Sequence, residues 1–242
     1  MRYLVLSDIH ANLIALQTVV DDAGPFDAIW CLGDVVGYGP DPNECVALLR
    51  EYEHLCLAGN HDWAALGKLD LDSFNADARS AATWTQRMLS ASSREYLGSL
   101  SSLVCARQFT LAHGSPRQPI WEYISDTLVA HVNFFHFETP YCLVGHTHTP
   151  VVLKQDTEDG NCRIFSPRYG EPIPLGDARL IVNPGSVGQP RDADPRSAYA
   201  ILDAEAMTWE HRRIEYAVEE TQSRMRQHGL PYKLVARLQY GW

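Results

Sequence analysis

The six cysteines of this 242-residue chain (Cys31, Cys45, Cys56, Cys105, Cys142 and Cys162) are scattered and include no C-x-x-C pair. That argues against a cysteine-rich structural zinc site and against a disulfide framework. Several of them sit inside apolar runs, where a free cysteine behaves as a small hydrophobe, so reduced thiols and a cytoplasmic setting are expected. Long apolar runs are missing too, and none approaches the roughly 18 residues of a membrane span. The stretch Met1 to Leu6 is too short before Asp8 for the apolar core of a signal peptide, so secretion is not expected. Positive charge is in deficit: 20 Lys and Arg against 30 Asp and Glu give a net charge of −10. This argues against a broad nucleic-acid-binding face, but not against an anionic substrate, because bound metal ions reverse a local field. Internal repeats, low-complexity tracts and linkers are absent, and residues 1–242 are read as one domain.

What the chain does have is an alternation of short apolar runs and amphipathic stretches. Arg2 to Ser7 predicts a strand, and Leu13, Leu16 and Val20 give the following helix one apolar face before Gly24-Pro25 stops it. Phe26 to Leu32 reads as a second, buried strand. Asp41-Pro42-Asn43-Glu44 predicts a helix start, with Asp41 as cap, proline in the first turn and Glu44 three residues after the cap. A third strand is expected over His54 to Ala58. Strand, helix, strand, helix, strand in the first quarter predicts parallel βαβ units. Further helices are expected over Asn75 to Leu89, over Ser92 to Leu100 with Ser92 or Ser93 as cap, and over Ser125 to Phe137 with Ser125 as cap. Phe109 to Ala112 and Tyr141 to Val144 read as strands. The last third is richer in β: Val151 to Gln155 and Cys162 to Phe165 flank a hairpin signal at Glu158-Asp159-Gly160. Strands follow at Arg179 to Val182, Ser197 to Leu202 and Met207 to Ile214. Two short helices, 218–227 and 232–238, come last, and Ser166 to Gly176 reads as a mobile excursion from the core.

Five strand ends carry polar side chains of one chemical kind: Asp8 with His10, Asp34, Asn60 with His61, His113, and His146 with His148. Any one of them has an ordinary reading as a turn former, helix cap or core histidine. Five together, each at the end of an apolar run, do not. In an open α/β sheet, reactive groups gather beyond the carboxyl ends of the strands. Carboxylate, imidazole and amide oxygen without thiolate suit Mn, Fe, Ni, Co or Zn. The Asp8-x-His10 and His146-x-His148 spacings would put both side chains on one side of an extended segment. Asp34 stands alone at its strand end and is the natural bridge, with two carboxylate oxygens for two cations. Two ions about 3.5–4 Å apart clamp a phosphate and hold an attacking oxygen in line with the leaving group.

These blocks, Asp8-x-His10, Gly33-Asp34, Gly59-Asn60-His61-Asp62, His113-Gly114 and Gly145-His146-x-His148, resemble those of the calcineurin-like metallophosphoesterase superfamily, in the family's order over residues 8–148. The resemblance implies an α/β fold, a four-layer αββα sandwich of two mixed β-sheets flanked by helices. It implies that Asp8, His10 and His148 hold one metal and that Asn60, His113 and His146 hold another, with Asp34 bridging and manganese as the expected ion. His61 resembles the family's catalytic histidine, which protonates the leaving oxygen or stabilises charge on the phosphoryl group; imidazole suits that role because its ordinary pKa lies near neutrality. The implied reaction is hydrolysis of a small phosphate ester by direct attack of a metal-bridging hydroxide.

The chain also departs from part of the superfamily. Protein serine/threonine phosphatases of this kind carry G-D-x-V-D-R-G, whereas Gly33 to Gly39 here reads G-D-V-V-G-Y-G, so Gly37 and Tyr38 replace an Asp that orients the histidine and an Arg that grips phosphate. The sequence is more similar to the small bacterial and archaeal phosphodiesterase branch, and a phosphodiesterase is expected. A phosphomonoesterase or protein phosphatase on the same site is the alternative, and His61, where that branch often has Cys, keeps monoester hydrolysis open. Asn183 to Arg191 resembles a recurrent loop of the branch, either a glycine-rich turn packed beneath the metal site or a substrate loop. Within it, Arg191 is the candidate substrate-binding residue, able to pair with a phosphate bidentately, or else a solvated charge. Tyr38 and Trp121 are stacking candidates that could equally be packing residues. A non-catalytic interaction scaffold with this fold would have lost ligands that this chain keeps, and a nuclease is disfavoured by the acidic balance.

Overall fold

The first two apolar runs form parallel neighbours, β1 (Arg2–Leu6) and β2 (Ala28–Cys31), paired from Tyr3↔Ala28 to Leu6↔Cys31. The computed structural model of the chain describes residues 1–155 and 160–242. Helix α1 (Leu13–Asp22) joins the two strands, and its start is fixed by Asn12, whose Oδ1 accepts from the Ala15 amide at 3.2 Å. Helix α2 (Pro42–Leu49) and β3 (His54–Cys56) repeat the unit, with β3 parallel to β2. Asp41 stands at the N-cap position of α2 as expected, with Pro42 in the first turn. Its carboxylate forms an ion pair with Arg224 and makes no cap hydrogen bond, a charged partner being the stronger one for a carboxylate.

β3 ends two residues early because the chain turns at once into α3 (Asn60–Ala65), a short helix without a period to show in the sequence. Helices α4 (Ala76–Met88) and α5 (Ala91–Ser99) lie where expected, but α5 is capped by Ser90 rather than Ser92 or Ser93: the Ser90 Oγ accepts from the Ser93 amide at 3.1 Å. An unexpected edge strand, β4 (Leu103–Ala106), pairs antiparallel with β5 (Phe109–Ala112). Helix α6 (Thr127–Asn133) is shorter than the expected 125–137 and is capped by Asp126, which accepts from the amides of Leu128 and Val129 at 2.9 Å each. A carboxylate displaces the Ser125 hydroxyl there because it also meets the positive end of the helix dipole.

The remaining strands are β6 (Tyr141–Leu143), β7 (Val151–Gln155), β8 (Cys162–Phe165), β9 (Ile173–Pro174), β10 (Leu180–Asn183), β11 (Ser197–Asp203) and β12 (Thr208–Ile214). β7 and β8 pair antiparallel as the hairpin signal requires, although Glu158 and Asp159 lie outside the described residues. The stretch expected to leave the core, 166–176, returns to it through β9, which adds to the edge of β12. Helices α7 (Val218–Gln227) and α8 (Tyr232–Arg237) follow.

The strands form two mixed six-stranded sheets, ordered β3-β2-β1-β11-β12-β9 and β4-β5-β6-β10-β7-β8. Strand periodicity explains the layering. Tyr3, Val5, Trp30 and Trp209 of the first sheet face Phe109, Leu111, Leu143 and Val182 of the second, whereas Leu4, Leu6 and Ile29 face the other way, onto α1 and α2. On the far side, Cys142, Leu153 and Ile181 pack under α6. The order is helices, sheet, sheet, helix, as the αββα expectation has it. A further apolar cluster joins α3, α4, α7 and α8 around Tyr38. Among the described residues no helix is long and apolar enough to cross a membrane.

Candidate metal centre

β1, β2 and β3 run parallel in one sheet, β5 and β6 in the other, and their carboxyl ends meet at one edge of the sandwich. There Asp8, His10, Asp34 and His148 form one group, and Asp34, His113 and His146 a second, with the candidate ligand atoms of each group within 4.8 Å of one another. In the first, His10 Nε2 lies 3.1 Å from His148 Nε2 and 3.6 Å from Asp34 Oδ2, and His148 Nε2 lies 3.3 Å from Asp8 Oδ1. In the second, His113 Nε2 lies 3.4 Å from Asp34 Oδ2, 3.1 Å from His146 Nδ1 and 3.3 Å from Asn60 Oδ1. The structure therefore brings together all seven side chains singled out in the sequence, each no more than 3% exposed.

Asp34 joins the groups differently from the expectation. Its Oδ1 accepts from the His61 amide at 2.8 Å, so a single oxygen, Oδ2, faces both groups. The backbone differs as well. Asp8, His10, Asp34, His146 and His148 have φ values of 53°, 50°, 53°, 64° and 59°. The two x-spaced motifs are thus left-handed rather than extended, and His146 and His148 turn to different groups. Each such residue costs on the order of 1–3 kcal/mol, which the surrounding structure must offset. The offsets are visible: Asp8 Oδ2 accepts from the His146 amide at 3.0 Å, and the amides of Asp8 and His10 donate to the carbonyls of Gly33 and Asp34.

Three of the histidines are oriented through their second nitrogen. Nδ1–H of His10, His113 and His148 donates to the carbonyls of Val36, Leu32 and Gln189 at 3.3, 2.9 and 2.6 Å, so each Nε2 presents a lone pair to the group. Asp8 Oδ1 and Asp34 Oδ2 are buried with no hydrogen-bond partner among the described residues. An uncompensated carboxylate oxygen is costly in a protein interior. Buried imidazole and oxygen donors aimed at a common point, without thiolate, fit a divalent ion such as Mn, Fe or Zn.

Electrostatics without ions are divided. Burial pushes the Asp8 carboxyl up to about 6, with Asp34 adding to the rise and His113 opposing it. For Asp34, burial is overcome by the His113 and His61 imidazoles, which hold it well below the usual carboxylate range. Burial disfavours the charged form of His113 too, but the Asp34 carboxylate prevails and raises it to about 9. His61, expected near neutrality, is lowered to about 4, chiefly by burial, with the Arg191 charge contributing and Asp34 opposing. Its ring is enclosed by Tyr38, His10 and Phe74 at centroid distances of 4.2, 5.0 and 5.3 Å. On its other side a Cβ at Gly37, where φ is +93°, would sit 2.8 Å from His61 Nδ1. Gly37 thus packs directly against the ring, leaving no room for a side chain and offering no carboxylate, and Nδ1 has no hydrogen-bond partner among the described residues.

A cavity of about 130 Å³ opens onto the centre, with Asp34, Asn60, His61, His146, His148 and Arg191 in its lining. Arg191 is half-buried, with Nη2 3.0 Å from Gln189 Oε1 and 3.5 Å from Tyr38 Oη. Tyr38 is a packing residue, only 6% exposed, whereas Trp121 is 39% exposed at the cavity mouth. Most of Asn183 to Arg191 supports the centre from beneath: Asn183 Nδ2 donates to the Gly145 carbonyl at 2.7 Å and Ser186 Oγ to the Asp8 carbonyl at 2.8 Å. Two contributors carry no assignment in the sequence reading. Asp62 accepts from the amides of Val36 (3.0 Å) and Gly59 (2.9 Å), tying the second strand-end loop to the third; its place in the Gly59–Asp62 block was the available signal. Tyr123 stacks on His146 at 4.0 Å and 19°, and nothing in its local sequence marks it.

The family model of the calcineurin-like phosphoesterase superfamily domain matches residues 1–207. An uncharacterized protein of Methanocaldococcus jannaschii is 36% identical, over 98% of this chain and 97% of its own length. The crystal structure of a metallophosphoesterase from Sphaerobacter thermophilus is 48% identical, with a TM-score of 0.92 over 100% of this chain and 99% of that one. A hypothetical protein from Pyrococcus horikoshii shares the fold at 20% identity, with a TM-score of 0.82 over 100% and 98% of the two chains.

Proposed function

The chain belongs to the calcineurin-like phosphoesterase superfamily, a family of metal-dependent phosphoric ester hydrolases, and we propose that it is a two-metal phosphodiesterase acting on a small phosphate ester. The observation that carries the two-metal reading is the single oxygen Asp34 Oδ2, placed 3.6 Å from His10 Nε2 and 3.4 Å from His113 Nε2. Asp8, His10 and His148 would hold one ion and Asn60, His113 and His146 the other, with Asp34 shared. Divalent ions bound there, manganese foremost, would supply Lewis acidity and a nucleophile drawn from water.

The chain's own residues position the ester. Arg191 has a buried Nε without a partner among the described residues and binds a non-bridging phosphoryl oxygen, a planar guanidinium being suited to that geometry. His61 is neutral at pH 7, and with Nδ1 against Gly37 it is Nε2 that donates a hydrogen bond to the phosphoryl or leaving oxygen. Tyr38, Phe74, Asn75, Trp121 and Tyr123 complete the lining of the cavity. At about 130 Å³ it is smaller than the roughly 300–1,000 Å³ that holds a whole organic ligand, so both substituents of a diester extend outward past this lining. Residues 1–242 act as one unit in this reading. Cys31 and Cys56, paired across β2 and β3 yet both free thiols, fit a reducing, cytoplasmic setting.

A panel of manganese-supplemented assays tests the assignment, comparing a nitrophenyl phosphate monoester, its diester, cyclic nucleotides and a phosphopeptide. Faster turnover of the diester is expected, and preference for the monoester or phosphopeptide would overturn the diester assignment. His61→Ala should lower kcat by about 10²-fold or more, the usual effect of removing such a donor; full activity in that variant removes His61 from the mechanism.

A further inference from the structure

Beyond Tyr38 the site continues into a second cleft of about 590 Å³, which shares Tyr38 and Asn75 with the 130 Å³ cavity and is lined further by Tyr232, Lys233, Arg237 and Trp242. Its volume falls in the range of organic ligands, unlike that of the cavity over the centre. Tyr232 and Trp242 are 79% and 62% exposed, so two aromatic rings are available at its wall.

Two arginines, Arg191 and Arg237, meet at the junction. Arg237 Nε donates to the main-chain oxygen of Trp242, and Asp77 lies in the lining of the same cleft. Both guanidinium groups donate to one neutral atom, Gln189 Oε1, at 3.0 Å from Arg191 and 3.2 Å from Arg237. An amide oxygen does not offset two charges, and Arg191 keeps a buried Nε with no hydrogen-bond partner among the described residues, so an added anion between the two half-buried groups is favoured. The pair is also fixed relative to the metal ligands. The backbone carbonyl of the same Gln189 accepts from His148 Nδ1–H at 2.6 Å, and the Arg191 amide lies 3.4 Å from the His148 carbonyl.

We infer that Arg191 and Arg237, gathered by Gln189, form a subsite for a second phosphoryl group of the substrate, one held in the cleft beyond Tyr38 while the scissile phosphate lies over the centre. Guanidinium pairs suit phosphate oxygens, which accept from several N–H donors at once. The proposal rests on the phosphodiesterase reading and narrows it to esters that carry two phosphoryl groups. Arg191 serves both groups from its position between them, and Arg237 serves the second alone.

The test uses the p-nitrophenyl diester of a nucleoside monophosphate, with and without a further phosphate on the ribose 3′-hydroxyl, and the full chain loaded with manganese. The added phosphate should raise kcat/KM by about tenfold or more, the worth of one or two charge-assisted hydrogen bonds. Arg237→Gln should abolish that ratio, and Arg237→Lys should restore part of it. An unchanged ratio in Arg237→Gln, with a thermal unfolding curve like that of the parent, overturns the subsite. If neither ester is hydrolysed, the phosphodiesterase reading fails on its own terms, and calorimetric titration with the doubly phosphorylated nucleoside decides the subsite. Binding weakened about tenfold or more in Arg237→Gln supports it, and equal affinity overturns it.

Discussion

Histidine does three different jobs in this chain, and the partner of each ring decides which. In His10, His113 and His148 a backbone carbonyl accepts from Nδ1–H and leaves the Nε2 lone pair free as a candidate ligand; in His61 no carbonyl or carboxylate among the described residues meets Nδ1. His211 is structural: its Nε2–H donates to the Asn183 carbonyl at 2.8 Å, and its Nδ1 accepts from Trp209 Nε1–H at 3.0 Å. That arrangement needs the neutral ring, and burial lowers its pKa to about 4 from an ordinary 6.5. The folded value is the lower one, so the contribution of His211 to stability is complete above pH 6.5 and is lost as pH falls toward 4, when only the unfolded chain takes up the proton. Urea unfolding at pH 7 and pH 4.5 should therefore show about 2 kcal/mol less acid destabilisation in His211→Gln than in the parent chain. Equal losses would mean that His211 is protonated in the folded state. The types and order of the clustered side chains were legible in the sequence because they follow buried runs. The left-handed backbone of Asp8, His10, Asp34, His146 and His148 was not, since a strained φ is imposed by tertiary hydrogen bonds and leaves no local mark.

At the scale of elements, strands buried on both faces announced themselves as continuous apolar runs, which is why β1, β2, β5, β6 and β10 lie where the sequence places them. The edge strands β4 and β9 were missed for the opposite reason, being partly exposed and short, and α3 because six residues carry too little period. Helix starts were misread where several hydroxyl or carboxylate groups compete for the same amides. Asp126 displaces Ser125, and Ser90 displaces Ser92 and Ser93. The α5 start gives a direct check. Ser90→Ala should cost about 1 kcal/mol in urea denaturation, whereas Ser92→Ala should stay within a few tenths. The reverse ranking would put the cap back at Ser92.

For the molecule as a whole, the architecture accounts for how a chain of net charge −10 can serve an anionic substrate. Two sheets deliver their parallel carboxyl ends to one edge, so candidate ligands from residues 8 to 148 meet within a few ångströms. Helix α8, packed with α3, α4 and α7 around Tyr38, carries Lys233 and Arg237 to the cleft beyond it, while Gly37 and Tyr38 stand where related phosphatases carry Asp and Arg. All of this depends on Asp34 joining two cation sites through one oxygen. The direct measurement is elemental analysis of chain saturated with manganese and freed of excess, alongside His10→Ala, His113→Ala and Asp34→Ala. Two ions per parent chain, about one in each histidine variant and well under one in Asp34→Ala are expected. One ion in the saturated parent, or an Asp34→Ala chain that retains the parent's full content, would contradict it.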